Sequence, residues 1–177
     1  MCIRDSLGTA AQEADVKAQI AAIYEQGGIE VEWESPTFFN NTFANVGNGG
    51  FSPESDLDTI LSSGDAAGVG SSNGLVIDMY FVDVAPGFEM TSENEIAGTG
   101  LLGEGGLAVR LGTNVLAADQ GRTFIARGIA QELGRNLGLE PVNVTNNLMF
   151  SGLTGSLLEP SQITTMIASD LSQRVVD

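Results

Sequence analysis

The chain has 177 residues, 42% of them apolar and 6% aromatic, enough for one domain that buries roughly 70% of the surface its unfolded chain would expose. Seven basic residues against 23 acidic ones leave a net charge of −16, a field that repels phosphate backbones and anionic lipid headgroups and so excludes nucleic-acid and membrane-surface partners. With no histidine and a single cysteine, Cys2, the chain lacks a disulfide framework, a conventional nucleophile triad and a histidine-ligated zinc site; a metal would need an all-oxygen shell of the kind calcium or magnesium takes.

The opening Met1-Cys2-Ile3-Arg4-Asp5-Ser6 resembles translated adapter sequence at the head of a metagenomic gene prediction. Residues 1–6 are therefore expected to be non-native, with one domain over 7–177 and any signal peptide lost ahead of it. No run reaches the roughly 18 consecutive apolar residues of a membrane span.

Val16, Ile20 and Ile23 recur at helical spacing between Thr9 and Gln26, and Gly27-Gly28 follow where the helix should stop. Ile29, Val31 and Trp33 then alternate with Glu30, Glu32 and Glu34, predicting a half-buried strand ended by Pro36. A loop is expected from Asn40 to Gly50, around a short strand at Phe38 to Phe43. Ser52-Pro53 with Glu54, Asp56 and Asp58 reads as a short helix with a capping hydroxyl, proline in its first turn and acids at the positive dipole end. A Gly- and Ser-rich turn follows over Ser62 to Gly74, and Leu75 to Val84 is the expected central strand, closed by Pro86-Gly87. Ile96-Ala97 and Leu107 to Leu111 read as short strands. Asp119 to Leu137 is a second long helix with apolar positions Phe124, Ile125, Ile129, Leu133 and Leu137, capped by Gly138, and a last helix runs from Pro160 to Leu171.

Gly98-Thr99-Gly100-Leu101-Leu102-Gly103 satisfies G-x-G-x-x-G, but Glu104-Gly105-Gly106 and a strand follow it. A dinucleotide site needs a helix N-terminus there, so tight turns between strands are the better reading. The acids have two readings as well, a surface kept soluble in salt or a calcium site, and no D-x-D-x-D-G spacing supports the second. Asn41 and Asn143 stand in N-x-T sequons.

The informative stretch runs from Ile125 to Phe150. Its Gln131-Glu132-Leu133-Gly134-Arg135-Asn136-Leu137-Gly138-Leu139-Glu140-Pro141, followed by Asn147-Leu148-Met149, resembles the active-site helix and Met-turn of metzincin-type zinc metallopeptidases, H-E-x-x-H-x-x-G-x-x-H and a methionine turn. By that resemblance Glu132 takes the general-base position, Gly138 the helix break and Met149 the Met-turn, while Gln131, Arg135 and Pro141 stand where the zinc-binding histidines belong. Residues 96–111 look like the edge strand above the substrate cleft, and Leu157 to Gln162 like the start of the C-terminal helix.

The resemblance implies an α+β, metzincin-like zincin fold: a twisted mixed sheet, a backing helix, the active-site-type helix and a small C-terminal subdomain over about 139–177, after an N-terminal subdomain over about 7–138. It also implies an extracellular or periplasmic setting in a bacterium. The residues themselves argue against turnover. An amide, a guanidinium that stays charged and a proline do not make a zinc shell, and Arg135 repels a cation. Without a metal no scissile carbonyl is polarised, so Glu132 has nothing to act with. The expected function is that of an inactive peptidase homologue, with no cofactor, that binds a peptide or protein segment by strand addition near Leu107 to Leu111. Alternatives are a metalloendopeptidase with non-histidine or partner-supplied ligands, and a structural or decaying paralogue without a ligand. Glu132 and Arg135, three apart on one helix, are expected to pair, either in a closed network or as a solvated surface pair.

Overall fold

The computed structural model describes residues 8–34, 37, 53–81, 96–100, 102–103, 105–111 and 119–172. They form an α+β arrangement of four helices and a three-stranded mixed sheet: α1 (Ala10–Glu25), α2 (Pro53–Ala67), β1 (Met79–Phe81), β2 (Ile96–Gly100), β3 (Leu107–Leu111), α3 (Asp119–Asn136) and α4 (Pro160–Ala168). The strand order is β1-β3-β2, with β1 parallel and β2 antiparallel to β3.

Alternation along the strands divides the apolar residues between two faces. Leu107 and Val109 of β3 join Val16, Ile20 and Tyr24 of α1 and Ile125 and Ile129 of α3 in the main core, which also takes Met149 and Met166. Ala108 and Tyr80 point the other way, onto Leu57 and Ile60 of α2. Burying each large side chain of this kind is worth about 1.5–3 kcal/mol, so the main core is the principal source of stability. Tyr24 crosses it to donate its hydroxyl to the Ala130 carbonyl at 2.7 Å, locking α1 onto α3. That burial, with Glu132 nearby, drives the Tyr24 phenol well above its ordinary range.

The Gly138 cap follows the sequence reading, and the structure adds a cap at Thr9. Thr9 and Gln12 close a capping box at the start of α1. At the end of α3, Gly138 sits at φ +89°, its N–H donates to the Arg135 carbonyl at 2.8 Å, and the Leu139 N–H donates to Gly134 at 2.9 Å. This is a Schellman motif, and it turns the chain sharply where a side chain would be strained.

Several expectations need correction. Residues 29–34 form no ladder among the described residues, although Ile29, Val31 and Trp33 are half-buried and the three glutamates exposed. The period of two reported an extended segment with one covered face, not a hydrogen-bonded neighbour. The helix beginning at Pro53 is not short but runs to Ala67, because Leu57 and Ile60 bury completely and Gly64 lies where any Cβ would strike the Tyr80 ring. Leu75 to Ile77 stay out of the sheet. Both Asp78 carboxylate oxygens accept from the Ser71 N–H at 3.1 Å and Asn73 takes the Leu75 N–H, so local turn chemistry delays the strand to Met79. The central place belongs to β3, whose Leu107 to Val109 are flanked on both sides, so that part offers no edge, and among the described residues β2 is paired on one side alone. Phe124 is exposed, and α4 ends at Ala168. The expectations for residues 1–6, Asn41, Phe38 to Phe43, Ser52, Val82 to Val84 and Pro86-Gly87 lie outside the described residues.

Candidate functional site

Helix α3 carries three buried polar side chains in its C-terminal half, Gln131, Glu132 and Asn136, each no more than 8% exposed. A buried polar group persists only with partners, and each of these finds them on a different element.

Gln131 turns toward the segment after the helix break. Its Nε2 donates to the Leu148 carbonyl at 3.1 Å and to the Phe150 carbonyl at 3.0 Å, bracketing Met149. Met149 is fully buried, and its sulfur lies 3.0 Å from where a Cβ on Gly134 would stand, so the turn packs directly beneath α3. The Val142 N–H donates to the Met149 carbonyl at 3.1 Å, bringing exposed Pro141 to the margin of the same corner. The turn is held from its other side by Asn147 and Gln162. Asn147 Oδ1 accepts from the Met149 N–H at 2.8 Å and from Gln162 Nε2 at 3.1 Å, and Asn147 Nδ2 donates to Gln162 Oε1 at 2.7 Å.

Glu132 faces β2. Its Oε2 accepts from the Gly100 N–H at 2.8 Å. Gly98 and Gly100 oppose Val109 and Leu107 in the ladder, so both lie on the sheet face that packs on α3. A Cβ on Gly100 would stand 2.9 Å from the Glu132 carbonyl oxygen and 3.2 Å from Oε2, and one on Gly98 would stand 3.2 Å from Glu132 Cγ. The first two glycines of the G-x-G-x-x-G run therefore seat a strand on a helix. No helix follows them, as a phosphate loop would require. The next turn is tied down in the same way, by the Gly103 N–H to the Arg135 carbonyl and by Asn136 Nδ2 to the Gly106 carbonyl, both at 2.9 Å.

Burial raises the Glu132 carboxyl above its ordinary range; the Arg135 charge and the Gly100 N–H pull against that without cancelling it. Arg135 Nε lies 3.6 Å from Glu132 Oε2, an ion pair longer than a hydrogen bond. The pair fits neither expectation fully, since Glu132 is buried, the Arg135 side chain is 39% exposed and its Nε is buried without a hydrogen-bond partner.

Gln131, Glu132, Arg135, Gly138 and Met149 thus converge around one end of α3, with Pro141 beside them. The residues that sequence reasoning missed are Tyr24, Asn136, Asn147 and Gln162, and only the Glu159-to-Gln162 spacing at the start of α4 carried a capping signal. The donors at this corner do not suit zinc: the Gln131 amide is engaged by two carbonyls, Arg135 is cationic, and Pro141 has no donor atom. Among the described residues no three His, Cys, Asp or Glu side chains gather as a metal group, and no helix is long and apolar enough to cross a membrane. Comparison with protein-family models, curated proteins and solved structures finds no match for this chain.

Proposed function

We propose that this chain is a metzincin-type metallopeptidase homologue without zinc chemistry, which binds a peptide or protein segment along the face between β2 and the 148–150 turn. The observation that carries the reading is the Gln131 side chain. At the first ligand position implied by the resemblance, a side chain holds the methionine turn by two hydrogen bonds to its backbone. The glycine break at Gly138, the buried Met149 beneath the helix and an antiparallel edge strand lying over Glu132 support the same relationship. With a guanidinium fixed beside Glu132, the site repels the cation that would polarise a carbonyl as a Lewis acid. Strand addition remains open to it, because main-chain pairing needs only an edge, and among the described residues β2 is hydrogen-bonded on one side alone.

The test is zinc stoichiometry after refolding with excess zinc and desalting, on the native protein and on a Gln131→His, Arg135→His, Pro141→His triple variant. The native protein should retain no zinc and cleave no peptide while giving a folded far-ultraviolet spectrum. The triple variant should retain about one zinc per molecule, the stoichiometry of a three-histidine site. One zinc on the native protein would overturn the loss of chemistry. A folded triple variant without zinc would overturn the family relationship.

A further inference from the structure

Arginine in this molecule has an internal reference. Arg122 bridges two carboxylates, Asp15 through Nε and Asp119 through Nη2, and its side chain is only 16% exposed. Arg135 has the first half of that arrangement. Its Nε is turned toward Glu132 Oε2 at 3.6 Å, an oxygen already held by the Gly100 N–H at 2.8 Å, and Nε itself is buried. Nε being buried, the 39% exposure of the side chain belongs to its other atoms, and no hydrogen bond joins them to a described residue. The anchorage is rigid. The Arg135 carbonyl accepts from both Gly103 and Gly138, so its backbone is fixed between the β2–β3 turn and the helix break. One turn earlier on the same helix, Gln131 holds the 148–150 turn, so the guanidinium emerges where β2 and that turn approach α3 from different sides. A planar fork held at one end by a buried carboxylate, on a side chain that is 39% exposed, is suited to receive a second carboxylate at its other end. The overall charge of −16 disfavours anions over most of the surface, so a carboxylate is held only where a guanidinium is fixed, as Arg135 is, with no second carboxylate on it among the described residues.

We infer that Arg135 anchors a carboxylate of the bound segment, from an Asp or Glu side chain or from the segment's own free C-terminus, which takes on Arg135 the place that Asp119 takes on Arg122. The inference rests on the binding reading above and gives it a chemical preference for acidic peptides.

The experiment follows the Arg Nε–Hε resonances of the full-length 15N-labelled protein during titration with three probes: acetyl-Gly-Glu-Gly-amide, acetyl-Gly-Gly with a free carboxylate, and acetyl-Gly-Gln-Gly-amide. A saturable shift of the Arg135 signal with at least one carboxylate probe is expected, with the Arg122 signal unmoved and the glutamine probe silent. The first two probes separate a side-chain source from a C-terminal one. In Arg135→Gln, binding of the active probe followed through backbone amides of α3 should weaken roughly tenfold or more, as loss of a charge-assisted fork implies. Arg135→Lys, which keeps the charge, should retain part of it. No saturable shift with either carboxylate, an equal response to the glutamine probe, or unchanged binding in folded Arg135→Gln would overturn the inference. Because the zinc test reads a different property, a silent Arg135 in a zinc-free protein removes this anchor and leaves the loss of metal chemistry intact.

Discussion

Asn147 and Gln162 hold each other face to face through two amide hydrogen bonds, at 2.7 and 3.1 Å, and both are buried. Each also serves a backbone donor beyond the pair: Asn147 takes the Met149 N–H, and Gln162 takes the Glu159 N–H at the start of α4. Two side chains thereby tie the methionine turn to the last helix, while Gln131 ties the same turn to α3 from the opposite side. The corner around Met149 is cross-linked into the scaffold by amides.

A double-mutant cycle on Asn147→Ala and Gln162→Ala should therefore be strongly non-additive. Each single change strands a buried partner, at about 1–3 kcal/mol, whereas the double change removes both members. A coupling energy of about 1–2 kcal/mol is expected from urea denaturation. Additive losses would mean that the two amides act independently.

Gln131→Ala should cost about 1–3 kcal/mol, since the buried Leu148 carbonyl and the partly buried Phe150 carbonyl both lose their side-chain donor. The loss should be local as well. Hydrogen exchange should quicken at Val142 and Met149, whose N–H groups depend on the placement of this turn, more than at Ile20 in α1. Uniform acceleration would place Gln131 in the global core instead.

Much of this corner was legible in the sequence because the signals are local. The 3.6-residue spacing of Ile125, Ile129 and Leu133 and the terminating Gly138 each report on a few neighbouring residues, and both reappear in the structure. What was not legible depends on residues far apart. Nothing near Leu107 says that strands lie on both sides of it, and the run at Leu75 carries an apolar pattern that the Ser71 and Asn73 turn overrides. The roles of Gly98 and Gly100 were hidden for the same reason: their lack of a Cβ matters only against Glu132, more than thirty residues away. Sequence pairing of Glu132 with Arg135 placed the partners correctly, but whether the carboxylate meets water or a strand edge is decided by β2.

Substitution at those glycines should rank by contact. Gly100→Ala sets a methyl 2.9 Å from the Glu132 carbonyl oxygen and should cost about 1–3 kcal/mol while prising β2 from α3. Gly98→Ala meets the Glu132 side chain at 3.2 Å, where Cγ can give way, and should cost less. Chemical denaturation of the two variants checks the order, and the reverse order would contradict the packing of β2 on α3.

Glu132 gives the pH dependence a definite sign. Its folded-state carboxyl titrates above the unfolded value, first because of burial and despite the opposing Arg135 charge and Gly100 N–H. The folded protein thus binds the proton more tightly than the unfolded one. The contribution of this group is fully present below the unfolded glutamate value and is lost as pH rises through the folded one. At neutral pH the ionised group is a net burden on folding. In Glu132→Gln the amide oxygen can still accept the Gly100 N–H, and no charge has to be buried. The variant should be more stable than the native protein at neutral pH, and the advantage should shrink as pH falls toward the ordinary glutamate range. Denaturation curves for the two proteins at a series of pH values, compared as a difference, cancel the other 22 acidic residues. A variant that is less stable at neutral pH, with a deficit that shrinks on acidification, would show that the Arg135 charge and the Gly100 hydrogen bond together outweigh burial at this site.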